Sequence, residues 1–121
     1  MNHNFRELSI WNRSMDLVLE IYQLTRKLPE VERFSVTSQS NCCAVSIPSN
    51  ILEGTSRNTN KDISRFMDIA LGSSYELETQ IILVGRLYED FAGNTVKLVK
   101  EINEIQKMIG GFKRSIMRSE S

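Results

Sequence analysis

From Ile63 to Val84 the chain shows Ile63, Phe66, Met67, Ala70, Ser74, Leu77, Ile81 and Val84 at steps of three and four. That period suits a helix with one buried face, whereas a strand alternates its faces at every residue. The same spacing recurs on both sides. Trp11, Met15, Val18 and Tyr22 make one stripe with Leu17, Ile21, Leu24 and Leu28 beside it, and Val36, Ser40, Cys43, Ile47 and Ile51 make another. Val99, Ile102, Ile105, Ile109, Phe112 and Ile116 mark the last. No run of β-branched and aromatic residues alternates with polar ones, so strands are not expected.

Breakers and caps divide the chain into helices over 9–28, 37–54, 60–90 and 95–117. Pro29 stops the first, because the residue before a proline is pushed out of the α region. The polar connection EVERFS follows, and Gly54 is the natural C-terminal cap of the second helix. Thr59 with Asp62 three residues on has the shape of a capping box, and the third helix should run for roughly 43 Å at 1.5 Å per residue. The tetrad AGNT, Ala92 to Thr95, breaks the pattern. Gly110 and Gly111 interrupt the fourth helix at about 1 kcal/mol each unless a neighbouring backbone packs there. The tail RSES should fray. Four such helices joined by short loops bury their stripes as an all-α, antiparallel up-and-down four-helix bundle, and 121 residues suffice for one such domain over residues 1–121.

Pro48 sits in the middle of the second stripe. It removes a backbone donor and crowds the carbonyl of Ala44, a cost of about 3 kcal/mol inside a helix. Either the helix breaks, with Asn50 capping a new one, or it continues through a kink. Cys43, Ile47 and Ile51 keep their four-residue phase across the proline, which favours a second helix kinked at Pro48 but continuous. Ser46, Ser49 and Asn50 can offer hydrogen bonds to the loosened backbone groups.

Chemistry is sparse. Fifteen basic and fifteen acidic side chains cancel, so no global field draws the chain to nucleic acid or an anionic membrane. The start MNHNFRELSIW lacks a signal peptide's apolar region, and no segment reaches the roughly 18 apolar residues that span a bilayer, so a soluble, cytoplasmic chain is expected. Cys42 and Cys43 are adjacent, point about 100° apart on a helix, and read as structural thiols with one facing the core. His3 is the single histidine. Glu76 and Glu78 point to different faces and cannot pair as acid and base, while Glu53 can pair with Arg57 four residues on. No metal site, cofactor, small-molecule substrate or enzyme activity is expected. Arg57, Lys61 and Arg65, four apart, are the nucleic-acid-binding candidates, with Lys107, Lys113, Arg114 and Arg118 as a further basic group. Aromatic residues beside them are few, so any binding should go through phosphates.

The words FRELSIW, LTRKLP, ERFSVTSQ and AVSIPSNILEG, followed by SRF and ALGSSYELETQ, recur in an order that resembles a known family. These are the small bacterial four-helix-bundle proteins first noticed as open reading frames in intervening sequences of 23S ribosomal RNA genes, often labelled S23 ribosomal proteins. The chain also looks like the accessory variability protein of diversity-generating retroelements, a relative that binds nucleic acid. Ser40, Asn41, Cys42 and Thr55 depart from the pattern and lower the positive charge of the second helix. The resemblance implies an antiparallel bundle that assembles as a ring-like homopentamer, so self is the expected partner and RNA or DNA a second one. In a pentamer the cluster of Arg57, Lys61 and Arg65 would be repeated five times as a positive ring. The words SIPSN and ALGSSYELE would build subunit contacts, with Pro48, Asn50, Gly72 and Ser73 as candidates, since small residues let a neighbouring helix approach closely. The expected function is that of a non-enzymatic homo-oligomer; the alternative is an RNA- or DNA-binding accessory factor.

Overall fold

The structure is a computed structural model that describes residues 4–118, with side chains from Ser9 onward. His3 and residues 119–121 of the tail expected to fray lie outside the described residues. Helix α1 spans Asn4–Thr25, α2 Ser38–Thr55, α3 Asn60–Leu87 and α4 Ala92–Arg118. Short 3₁₀ turns at Glu30–Glu32 and Glu89–Phe91 and a π-helical turn at Arg33–Thr37 fill the connections. No strand occurs among the described residues.

Each helix packs on its neighbours in sequence, and α4 returns against α1. The contacts fix an antiparallel register. Along α2 and α3 the pairs run Gln39 with Gln80, Cys43 with Glu76 and Ser46 with Ser73, one number rising as the other falls. Gln106 donates to Glu78 and Lys113 pairs with Asp68, so α3 and α4 are antiparallel as well. The chain is therefore an all-α, up-and-down four-helix bundle. Its axis is filled by Leu17 and Ile21 of α1, Ile47 and Ile51 of α2, Met67, Leu77 and Ile81 of α3, and Ile102, Ile105 and Ile109 of α4, all fully buried.

Helix boundaries move for local reasons. The first helix ends at Thr25, not Leu28, because Lys27 and Leu28 donate to carbonyls three residues back and tighten the last turn ahead of Pro29. The third begins where its cap predicts: Thr59 is extended and its hydroxyl accepts from the Asp62 amide at 3.1 Å. It ends at Leu87 because Tyr88 turns extended. The tetrad AGNT is the first turn of α4 rather than a break, with the Thr95 hydroxyl donating to the Ala92 carbonyl at 3.0 Å.

Three further expectations are corrected. On α1 the buried stripe is Ile10, Ser14, Leu17, Ile21 and Leu24, while Met15 is exposed and Trp11, Val18 and Tyr22 are half-buried on its flank. Gly54 is no cap; it is a buried residue in the last turn of α2, whose cap is Ser56, and no glycine among the described residues has positive φ. A Cβ at Gly54 would lie 2.8 Å from Phe66 Cβ, so the glycine is there to let α3 approach. Gly110 and Gly111 do not interrupt α4, and a Cβ on either would meet only the Arg114 guanidinium, at 3.6 and 3.9 Å.

Helix α2 runs unbroken through Pro48, as the phase of Ile47 and Ile51 requires. The two carbonyls that follow Ala44 O, the one that the proline leaves without its amide, each gain a side-chain donor. Ser49 Oγ donates to Val45 O at 2.8 Å, and Asn50 Nδ2 donates to Ser46 O at 2.8 Å.

Candidate functional site

The small-residue words form a seam inside the bundle. Asn50 Nδ2 also reaches Ser46 Oγ at 3.0 Å, and that hydroxyl shares a hydrogen bond with Ser73 Oγ across the α2–α3 contact at 2.8 Å. Ser73 is buried there and Asn50 is half-buried, while Pro48, also buried, lies on the side of α2 that carries Val45 and Leu52. Of the four residues named as candidate subunit contacts, Gly72 alone is fully on the surface, with nothing within 4 Å of where its Cβ would stand.

The basic candidates converge around one ring. Arg57 and Arg65 both lie over Phe66, their guanidinium carbons 4.7 and 4.8 Å from its centroid. Arg57 also pairs with Glu53, as the four-residue spacing predicts, and Arg65 lies 3.8 Å from Asp62. Lys61 is exposed and has no ion pair among the described residues. The Asn60 side chain donates to the Ile116 carbonyl at 3.2 Å, tying the start of α3 to the end of α4. Lys113, Arg114 and Arg118 therefore belong to the same end of the bundle as Arg57, Lys61 and Arg65, a union that spacing within single helices could not reveal.

Helices α1 and α2 carry a second apolar stripe outside the core. Thr25 Oγ1 donates to Asn41 Oδ1 at 3.0 Å and anchors the register of this antiparallel pair. Counting back along α1 from Thr25 gives Tyr22, Val18, Met15 and Trp11; counting forward along α2 from Asn41 gives Val45, Pro48 and Leu52. The stripe read from the sequence is real, but it runs along the α1–α2 seam, half-buried at Trp11, Val18 and Tyr22 and open at Met15, Val45 and Leu52. Leu19 beside it is 62% exposed and Leu52 59%, with Met15 and Val45 also open.

Between α1 and α4 lies a polar recess of about 510 Å³, lined by Arg13, Asp16, Glu20, Lys27, Lys97 and Glu101 among others. Arg13 holds Glu101 with two bonds, at 2.6 and 2.9 Å. Partial burial, together with the charges of Glu101 and Asp16, raises the Glu20 carboxyl above its usual range. A raised folded-state value means that the neutral acid fits better, so this contribution is full below the unfolded value and is lost as pH rises through the folded one. Glu20→Gln should therefore stabilise the chain slightly at pH 7, by under about 0.5 kcal/mol for so exposed a group, and the difference should vanish in acid. Thermal melts at the two pH values check this.

No cluster of three or more His, Cys, Asp or Glu able to hold a metal occurs among the described residues. Cys42 is exposed and Cys43 packs on the core edge, its thiol raised by burial and by Glu76. Burial of that kind makes a thiol less reactive. No described helix is long and apolar enough to cross a membrane. Sequence reasoning missed Val31 and Phe34, exposed in a connection read as merely polar, and Ile82 and Val96 on the outer side of α3 and α4. The available signal was a valine and a phenylalanine three residues apart in an otherwise polar connection.

The fold has a solved counterpart. It is similar to the 1.70 Å crystal structure of a protein with unknown function from the S23 ribosomal protein family of Bacteroides thetaiotaomicron, with a TM-score of 0.82 and 20% identity over 91% of this chain and 99% of that one. No functionally curated protein matches the chain. The sequence profile of one family, the 23S rRNA-intervening sequence proteins, covers residues 6–111. The chain belongs to the 23S rRNA-intervening sequence protein family.

Proposed function

We propose that this protein is a non-enzymatic homo-oligomer that acts through protein–protein or nucleic-acid contacts rather than by transforming a small molecule. The observation that supports this is the outward stripe of Met15, Leu19, Val45 and Leu52 along the α1–α2 seam. Contiguous apolar surface of this kind marks an interaction site, and covering a side chain of this size is worth about 1.5–3 kcal/mol when burial is complete. A second copy of the chain can cover it, and a ring of five copies is what the family resemblance implies. Native mass spectrometry at low salt, on protein purified without nuclease, tests this. A multiple of 13.9 kDa is expected, and a single chain at micromolar concentration would overturn the reading.

A second reading rests on the tie between Asn60 and Ile116, which collects six cations at one end of the bundle. Repeated around a ring, that end would attract phosphates without base contacts. Binding to a random-sequence RNA or DNA should then fall steeply with salt and drop at least tenfold when Arg57, Lys61 and Arg65 are all changed to Glu. Undiminished binding by that variant would reject the site.

A further inference from the structure

Two features lie at the opposite end of the bundle, where the α1–α2 and α3–α4 connections are. The first is a protrusion: Phe34 is 85% and Val31 79% exposed, in the 3₁₀ and π-helical turns that join α1 to α2. Glu30 and Glu32 flank Val31, and Arg33, lying over the Phe34 ring at 5.2 Å, is already paired with Glu30 at 3.4 Å. The Tyr88 hydroxyl donates to Glu32 and ties the turn to the end of α3, so the protrusion sits on a held base.

The second is an apolar groove of about 350 Å³ between α3 and α4. Ile82 and Val99 form its walls with Val96, Gly85 lies at its floor, and Arg86 and Lys100 stand at its rim. Neither rim cation has an ion pair among the described residues. The protrusion belongs to the α1–α2 side of the bundle and the groove to the α3–α4 side, which are opposite faces of a four-helix square.

We infer that the groove receives Val31 and Phe34 of a second copy of this chain. The inference deepens the self-association reading above and rests on it. Three observations point to this occupant. The protrusion is apolar and the groove is apolar and sized for one or two side chains. The protrusion carries a surplus acid where the rim carries two unpaired cations. Both features lie at the same end of the bundle, so copies pair side by side without an axial step, as a closed ring demands. Because donor and receiver are different surfaces on opposite faces, the contact is head-to-tail, and each copy offers one of each.

Head-to-tail pairing has a test that a symmetric contact fails. Phe34→Asp spoils the protrusion and leaves the groove, while Val96→Asp does the reverse; both residues are exposed, so the bundle should fold, with circular dichroism as the check. Each variant alone should lose self-association, weakened on the order of 30-fold or more for a central aromatic anchor. Mixed in equal amounts, they should form a species of two chains and no larger, since one intact protrusion meets one intact groove and neither end can continue. If the wild type assembles and either variant alone assembles as well as it does, this pairing is wrong although self-association stands. If both variants are single chains and their mixture yields no two-chain species, the pairing is also overturned. A wild type that is itself a single chain removes both readings.

Discussion

Gly54→Ala should unfold more readily than the wild type, by about 1–3 kcal/mol, although alanine is the better helix former by about 1 kcal/mol. The expected sign comes from the α2–α3 contact. An ideal Cβ at Gly54 stands 2.8 Å from Phe66 Cβ and 2.9 Å from Met67 Cε. The methionine end can swing aside, but Phe66 Cβ is one bond from the backbone, so α3 itself has to move. Gly72 is the matched control. It also lies inside a helix, yet a Cβ there meets nothing within 4 Å, so Gly72→Ala should stabilise by about 0.5–1 kcal/mol. Urea titrations of both, at one chain concentration because assembly alters apparent stability, measure the contrast. A stabilised Gly54→Ala would mean that the two helices do not meet there.

That pair of glycines shows where reading the sequence succeeds and where it stops. Local signals were legible. Thr59 caps α3 through a hydrogen bond made within one turn, and the core stripe of α3, from Ile63 through Met67, Ala70, Ser74, Leu77 and Ile81 to Val84, keeps its spacing of three and four although Ile69, Tyr75, Ile82, Leu83 and Leu87 lie exposed off it. Helix α1 is the opposite case. It carries two adjacent stripes, and periodicity cannot say which faces the axis; the choice depends on the Thr25–Asn41 register with a helix that begins thirteen residues later in the chain. Gly54 was misread for a related reason. A glycine near a helix end fits a cap and a close approach equally well, and only Phe66 across the seam decides.

The candidate site divides along the same line. Arg57 and Arg65 were legible as neighbours and Phe66 follows Arg65 directly, but that Arg57 folds back over the same ring depends on the α2–α3 turn, and the joining of Lys113, Arg114 and Arg118 to them needs the antiparallel return of α4. Pro48, Asn50 and Ser73 stood out as unusual words, and Asn50 and Ser73 meet through Ser46 in the bundle's own α2–α3 seam, while Pro48 is buried on another side of α2. A tight seam between two helices and a contact between two chains call for the same small residues, so composition alone cannot separate them. Exposure can, and it redirects attention from the small residues to Leu19, Leu52, Phe34 and the α3–α4 groove.

Gly85→Ala is the second substitution with a large expected loss, and its cause can be isolated. A Cβ at Gly85 would run into Thr95 Oγ1, the closest approach to any glycine in the described chain. That oxygen is not free to turn away, since it donates to the Ala92 carbonyl at 3.0 Å in the first turn of α4. Thr95 is buried, so rotating it leaves a polar group without a partner, a cost of about 1–3 kcal/mol. Pushing α4 off α3 instead costs a similar amount through lost packing. Thr95→Ala removes the obstacle at an expected loss of about 1 kcal/mol for its hydrogen bond. In the double variant the new methyl enters the space that the hydroxyl vacated, so the combined loss should fall short of the sum by about 1–2 kcal/mol. Purely additive losses would place Gly85 and Thr95 out of contact, and would remove the floor of the groove that is inferred to receive Phe34.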